Sequence, residues 1–260
     1  MALAAGRQSI FITGAASGMG RETARFFHEK GWFVGAFDLN LDGLQALQAE
    51  LGAENCVIQT LDVSDKAQFD AAVATFGTAT DGRMDILFNN AGIVMRGFFD
   101  EMPFEDQLKI INVNVIGVLN GTHSALPLLK ATPNALCFNT SSSSATMGMP
   151  LIAVYSASKH AVKGLTEALS NEFRRYDIRC ADALPGLIKT GMPSEELMAA
   201  APEKGPFRLI EAIEVAKAVW GSYHSDQLHW YIPEDLAELD KAAGNNPELL
   251  RDKLGRHMEV

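Results

Sequence analysis

Short apolar runs alternate along this chain with segments of helix length. Ser9–Thr13, Trp32–Asp38, Cys56–Asp62, Met84–Asn90, Ala135–Ser142 and Ile178–Leu184 each read as a strand, and Leu228–Ile232 as a further one. Between them the spacing predicts helices over Arg21–Lys30, Leu41–Leu51, Ser64–Phe76, Phe104–Lys130 and Val154–Tyr176, with Ser64 as an N-cap. Strands that are apolar at nearly every position are buried on both faces, and their alternation with helices calls for a parallel sheet covered on both sides. The last quarter is less regular. Glu195–Phe207, rich in Ala, Met, Glu and Pro, reads as a mobile loop or a pair of short helices. Ile210–Trp220 reads as a helix and Asp235–Val260 as a charged helical extension. No linker, repeat or low-complexity stretch divides the 260 residues, so one α/β domain is the economical organisation.

Composition narrows the classes of function. Apolar residues make up 47% and charged residues 21%, as in a globular protein with a large core. The net charge of -10, with no basic run beyond Arg174-Arg175, argues against nucleic acid and anionic membranes. No apolar run is long enough to span a bilayer, and MALAAGRQSI lacks the apolar core of a signal peptide. Cys56, Cys137 and Cys180 are odd in number and lie far apart in apolar stretches, as reduced core cysteines of a cytoplasmic protein do. The Asn-x-Ser/Thr matches at Asn120 and Asn139 are then chance matches. No CxxC or HExxH pattern supports a metal site.

The first candidate chemistry follows the first strand: Thr13-Gly14-Ala15-Ala16-Ser17-Gly18-Met19-Gly20, running into a helix. A dinucleotide pyrophosphate needs close backbone approach, which glycine permits, and a helix N-terminus with free N–H groups and a positive dipole end. Gly14 suits the turn, Gly18 the close approach and Gly20 the packing of helix on strand. A plain strand-to-helix turn with spare glycines is the competing explanation. Asp38 ends the second strand, where a carboxylate can accept from both adenosine ribose hydroxyls and repel a 2′-phosphate. Leu39 and Asn40 offer no cation for that phosphate, so NAD is predicted over NADP, unless Asp38 merely caps the next helix.

With the glycine turn, Asn89-Asn90-Ala91-Gly92 and Tyr155-Ser156-Ala157-Ser158-Lys159 in one chain, the sequence resembles the short-chain dehydrogenase/reductase family over about residues 8 to 232. Asn114-Val115-Ile116-Gly117 and Pro185-Gly186-Leu187-Ile188-Lys189-Thr190 match two further motifs of that family. The resemblance implies a Rossmann-like, doubly wound parallel sheet of about seven strands. It implies a catalytic tetrad of Asn114, Ser142, Tyr155 and Lys159. Among the consecutive serines 141–144, the family's spacing of thirteen residues before the tyrosine selects Ser142, with Ser141 and Ser143 facing away. The same resemblance puts Ser17 and Met19 in the pyrophosphate turn, Asp62 and Val63 beside the adenine, Asn90, Ala91 and Gly92 along the adenosine ribose, and Pro185, Gly186, Ile188 and Thr190 near the nicotinamide.

The residue types suit that chemistry. Tyr155 and Lys159 are four apart and share a helix face. An ammonium nearby is expected to lower the phenol's pKa, so that Tyr155 can take an alcohol proton while hydride leaves carbon for nicotinamide. Ser142 is expected to hold the substrate oxygen, and Lys159 to bind the nicotinamide ribose. In the family, the asparagine matched by Asn114 holds a water that links the lysine to solvent. A chance pair on a helix surface is the alternative for Tyr155 and Lys159 taken alone.

For the substrate the sequence offers Ile93, Val94, Met95, Met147, Met149, Leu187, Met192 and the segment up to Phe207, with residues 191–210 as a substrate loop. Flexible thioethers suit irregular apolar ligands. An apolar secondary alcohol and its ketone are expected, although the same residues serve equally as core. The family's short C-terminal segment is replaced by Trp230–Asp235 and about 25 further residues, so the extension 235–260 departs from the pattern. Phe104–Lys130 has apolar faces enough for a subunit contact, and a homodimer or homotetramer is expected. The alternatives are a carbonyl reductase of the NADPH type and a dinucleotide-sensing or scaffold protein without chemistry.

Overall fold

A computed structural model describes residues 6–255. The chain runs β1 (Ser9–Thr13), α1 (Gly18–Glu29), β2 (Phe33–Asp38), α2 (Leu41–Leu51), β3 (Cys56–Thr60), α3 (Lys66–Ala79), β4 (Ile86–Asn89), α4 (Phe104–Ile111), α5 (Gly117–Ala131) and β5 (Leu136–Thr140). It continues with α6 (Ala153–Glu172), β6 (Arg179–Pro185), β7 (Ile188–Lys189), α7 (Glu195–Ala199), β8 (Ile210–Glu211), α8 (Ile213–Tyr223), β9 (His229–Ile232), α9 (Leu236–Asn245) and α10 (Pro247–Gly255). Seven strands form one parallel sheet in the order β3-β2-β1-β4-β5-β6-β9. The expected α/β fold, Rossmann-like and doubly wound, is the one observed.

Side chains alternate across a strand, so each strand feeds two cores. Ile10 and Ile12 join Val34, Ala36 and Phe88 in one layer, which includes Phe27 of α1 and Val215 of α8. Phe11 faces the other way and packs with Phe37, Phe69 and Phe76. Its ring stacks on Phe37 at 4.0 Å between centroids and meets Phe76 edge-on at 5.4 Å. Both layers are closed to water, which is why β1 carries no polar side chain between Ser9 and Thr13. β1 lies between β2 and β4, the point where the strand order reverses, and a crevice opens there beyond the carboxyl ends of the strands.

Some sequence expectations are corrected. The N-cap of α3 is Asp65, not Ser64: the Asp65 carboxylate accepts from the N–H groups of Ala67 and Gln68, while Ser64 donates its hydroxyl to Asp62. The stretch 104–130 is not one uninterrupted α-helix. A π-helical turn over Asn112–Ile116 separates α4 from α5. Ile210 and Glu211 do not begin a helix; they pair with Ile188 and Lys189 as a two-stranded ribbon. Between Glu195 and Phe207 one short helix forms, with the Ser194 hydroxyl accepting from the Leu197 N–H. The charged extension is helical as α9 and α10, and its residues 256–260, like residues 1–5, lie outside the described part. Cys56, Cys137 and Cys180 are buried free thiols, and Asn120 and Asn139 are buried too.

Candidate active site

The turn after β1 is held by its own glycines and by Asn90. Gly14 has φ +68°, and a side chain there would press on Ala91. A Cβ on Gly20 would collide with the Gly14 carbonyl, so only glycine lets α1 start this close to the strand. The Asn90 side chain donates to the Thr13 carbonyl at 2.9 Å and to that of Gly14 at 3.3 Å. The Thr13 hydroxyl accepts from the N–H groups of Asn90 and Ala91, both at 3.0 Å. Ser17, the N-cap of α1, makes no side-chain cap, and no acidic residue occupies the first turn. That end of the helix therefore presents free N–H groups and an uncompensated positive dipole to an anion.

Asp38 closes the other side. One carboxylate oxygen accepts from the Ala16 N–H at 3.0 Å and the other from the Asn40 N–H at 2.9 Å. The cap of α2 is Asn40, which accepts from Gly43. Asp38 thus fixes the glycine turn rather than capping α2, and about half of its four acceptor positions stay free. A cleft of about 580 Å³ runs from here past Gly14, Ser17, Gly18, Met19, Asp62, Val63, Asn90, Ala91 and Gly92 to Thr190. Its volume lies in the range that holds small-molecule ligands, about 300–1,000 Å³.

A smaller cavity adjoins it and is lined by Ser142, Tyr155, Lys159, Pro185, Gly186 and Ile188, sharing Met19, Asn90, Gly92 and Thr190 with the cleft. Ser142 follows β5 in extended backbone, and its hydroxyl accepts from the Ser144 N–H at 3.1 Å. Ser141 turns away, its hydroxyl donating to the Lys159 carbonyl at 3.0 Å, and Ser143 opens a 3-10 turn. Tyr155 and Lys159 sit one turn apart on α6, with the ammonium 5.6 Å from the centre of the phenol ring.

Lys159 is buried, and its Nζ donates to the Thr140 carbonyl at 2.8 Å. An ammonium has three donors, so at least one remains for a hydroxyl or water. Burial pulls its pKa from 10.5 down to about 8. The Tyr155 phenol is pushed upward by burial, opposed by its hydrogen bond with Ser142. Burial outweighs that bond, so the lowering expected from the ammonium is not found in the protein alone.

Asn114 sits at the centre of the π-helical turn, fully buried. Its side chain accepts from the Ile93 N–H at 2.8 Å and donates to the Ile93 carbonyl at 2.9 Å and the Ser158 hydroxyl at 3.0 Å. It lies behind Gly92: a Cβ built there would be 3.2 Å from the Asn114 Oδ1 and 3.4 Å from the Lys159 Nζ. Thr13, Thr140 and Lys109, which also lines the cleft, were missed by the sequence reading. Thr13 stood in the glycine motif, whereas nothing in the sequence marks Thr140 or Lys109.

The proposed substrate residues separate. Ile93, Val94 and Met192 line the long cleft, and Met192 also the small cavity. Met147 lines a different cavity against the C-terminal helices, and the Met149 N–H donates to the Ser156 hydroxyl. Among the described residues no cluster of three or more His, Cys, Asp or Glu could hold a metal, and no helix is long and apolar enough to cross a membrane.

The chain is similar to known proteins in sequence and in fold. The family described as short chain dehydrogenase matches residues 8–199. Levodione reductase of Leifsonia aquatica is 34% identical over 214 residues, covering 79% of each chain. Cyclohexanol dehydrogenase of an Acinetobacter species is 32% identical over 212 residues, covering 80% of this chain and 84% of its own. Among solved structures, a short-chain dehydrogenase/reductase from Burkholderia phymatum, crystallised with NAD, superposes with a TM-score of 0.82 at 27% identity over 94% of this chain and 95% of its own. The sheet order, the glycine turn and these matches agree, and the chain belongs to the short-chain dehydrogenase/reductase family of oxidoreductases.

Proposed function

We propose that this protein is an NAD(H)-dependent oxidoreductase that interconverts an apolar secondary alcohol and its ketone. The observation that carries the proposal is convergence: Ser142, Tyr155 and Lys159 line one cavity, and that cavity continues into a glycine-lined cleft ending at Asp38. The donor set suits a dinucleotide. The uncapped start of α1 takes the pyrophosphate, Asp38 takes the ribose hydroxyls, and the spare donor of Lys159 takes the second ribose. A bound nicotinamide accepts or returns hydride and, when oxidised, adds positive charge to the site.

The chain's own residues handle the proton. Ser142 holds the substrate oxygen in line, and Tyr155 takes the proton from the alcohol or gives it to the ketone. Lys159 keeps an ammonium one turn away, which favours the phenolate once the nicotinamide charge adds to it. Asn114 stands behind Gly92 beside Lys159, where a water between them would pass the proton outward. Support for NAD over NADP comes from Asp38 with exposed, uncharged Leu39 next to it, and from the relative crystallised with NAD. Support for an apolar carbocyclic substrate comes from Ile93, Val94 and Met192 and from the names of two relatives.

Exposed Phe104, Leu108 and Leu119 on α4 and α5 support a homodimer through these helices, with a homotetramer as its extension. Sedimentation of the purified protein tests that part. The function is tested by offering a panel of alcohols with NAD and with NADP and following reduced-nicotinamide absorbance. Turnover confined to small polar polyols, or to NADP, contradicts the proposal.

A further inference from the structure

Asp182 of β6 faces His229 of β9 at paired positions of the ladder, and neither lines the cleft or the small cavity. The Asp182 side chain is fully buried. One of its oxygens lies 2.7 Å from the His229 Nδ1, and the other has no hydrogen-bond partner among the described residues. The second ring nitrogen, Nε2, lies 3.2 Å from the Glu167 carboxylate of α6. Both nitrogens of the ring thus face carboxylates. A neutral imidazole has one N–H and turns a lone pair on one of them, whereas the imidazolium donates to both. A buried carboxylate without a cation is costly, which favours the charged ring for a second reason.

The pair belongs to a wider cluster. Lys163, one turn before Glu167 on α6, donates to the Asp240 carboxylate of α9 at 2.9 Å and stands 3.9 Å from Glu167. The Tyr231 hydroxyl of β9 donates to the same Asp240 oxygen at 2.6 Å. Asp182, Glu167 and Asp240 therefore share Lys163 as their fixed cation, and His229 is the group that can supply a second one. Burial works against the ring's charge, but Asp182 outweighs it, and His229 titrates above its ordinary 6.5. Burial likewise raises the Asp182 carboxyl, with His229 opposing. The pair as a unit keeps a proton to higher pH than a free imidazole does.

We propose that Asp182 and His229 form a proton-operated latch on the C-terminal extension. With the proton bound, His229 ties β9 to β6 and α6, and Lys163 is left to hold α9 through Asp240. When the proton leaves, the remaining N–H stays with buried Asp182, and Glu167 loses its partner. Glu167 is half exposed and free to turn, so it competes with Asp240 for Lys163. The hold on α9 then weakens, while Leu236 and Ala243 keep the helix docked. A proton bound more tightly in the folded chain than in the unfolded one stabilises the fold. That contribution is complete below 6.5 and is lost as pH rises through the higher value of the folded pair.

Titration of the His229 ring by nitrogen–proton NMR, on protein with isotope-labelled histidine, reads the proton directly. The wild-type midpoint is expected above 6.5, and that of Asp182→Asn below the wild-type value. A wild-type midpoint at or below 6.5 overturns the proposal. Hydrogen exchange of the α9 amides, corrected for the intrinsic effect of pH, reads the latch. Between about pH 6 and about pH 9 their protection is expected to fall about tenfold, the worth of one charge-assisted hydrogen bond. His229→Gln keeps a donor for Asp182 and cannot take up a charge, so its α9 protection is expected to be low at both pH values. Lys163→Met removes the tie to Asp240 and is expected to give the same flat profile, which keeps the test open should His229→Gln fail to fold. Wild-type protection that ignores pH, or that changes equally in the variants, overturns the proposal.

Discussion

Lys159 donates from its buried Nζ to the carbonyl oxygen of Thr140 at 2.8 Å, and burial holds its pKa at about 8 instead of 10.5. A cation kept in such a place costs stability, and its retention fits a functional use. In the unfolded chain the lysine holds its proton up to about 10.5, whereas in the folded chain it releases it near 8. Between those values the unfolded state binds more protons, so wild-type stability gains from this group as pH rises. Lys159→Met is expected to lack that gain. Denaturant midpoints measured at about pH 7, 8.5 and 10 should show the advantage of the variant shrinking with pH. Turnover should fall by about a hundredfold or more. A constant difference across the pH series contradicts the account of this lysine.

Asp38 holds the Ala16 N–H at 3.0 Å and faces the cleft beside exposed Leu39. Replacing both, as Asp38→Ser with Leu39→Arg, removes the carboxylate and supplies a cation for a 2′-phosphate. The KM for NAD is expected to rise by about tenfold to a hundredfold, the loss of one or two charge-assisted hydrogen bonds. The KM for NADP should fall. Steady-state kinetics with both cofactors check this, and an unchanged preference means that Asp38 does not read the ribose.

Gly20 faces the Gly14 carbonyl so closely that a methyl group cannot fit. Gly20→Ala must push α1 off the turn. The expected cost is about 1–3 kcal/mol of stability, with NAD affinity lost in the same variant because the helix N-terminus moves. Urea unfolding and calorimetry with NAD measure the two effects. A variant of wild-type stability shows that the turn yields without cost.

Much of this was legible in the sequence because it depends on local rules. The inner strands β1, β2, β4, β5 and β6 are largely apolar and buried on both faces, as a parallel sheet covered on both sides demands. The glycine turn and the Tyr155–Lys159 spacing encode geometry within one turn of helix or loop. What the sequence did not show depends on contacts between distant segments. The π-helical turn at Asn114 is set by its side chain binding both backbone groups of Ile93, 21 residues away. The pairing of Ile188 with Ile210 overrode a helical pattern because the ribbon is a tertiary contact. Ser64 and Asp65 are both good caps, and only the fold shows that Asp62 claims the serine. The sense of the Tyr155 shift was missed because burial cannot be read from a spacing of four.

In the proposed reaction Tyr155 moves the proton. Tyr155→Phe removes only the phenolic oxygen and leaves the cleft from Gly14 to Thr190 intact. Stopped assays with NAD and the best alcohol of the panel, paired with calorimetry of NAD binding, measure both consequences on one sample. A loss of kcat of about a hundredfold or more is expected, with NAD affinity unchanged. A variant that keeps wild-type turnover contradicts it.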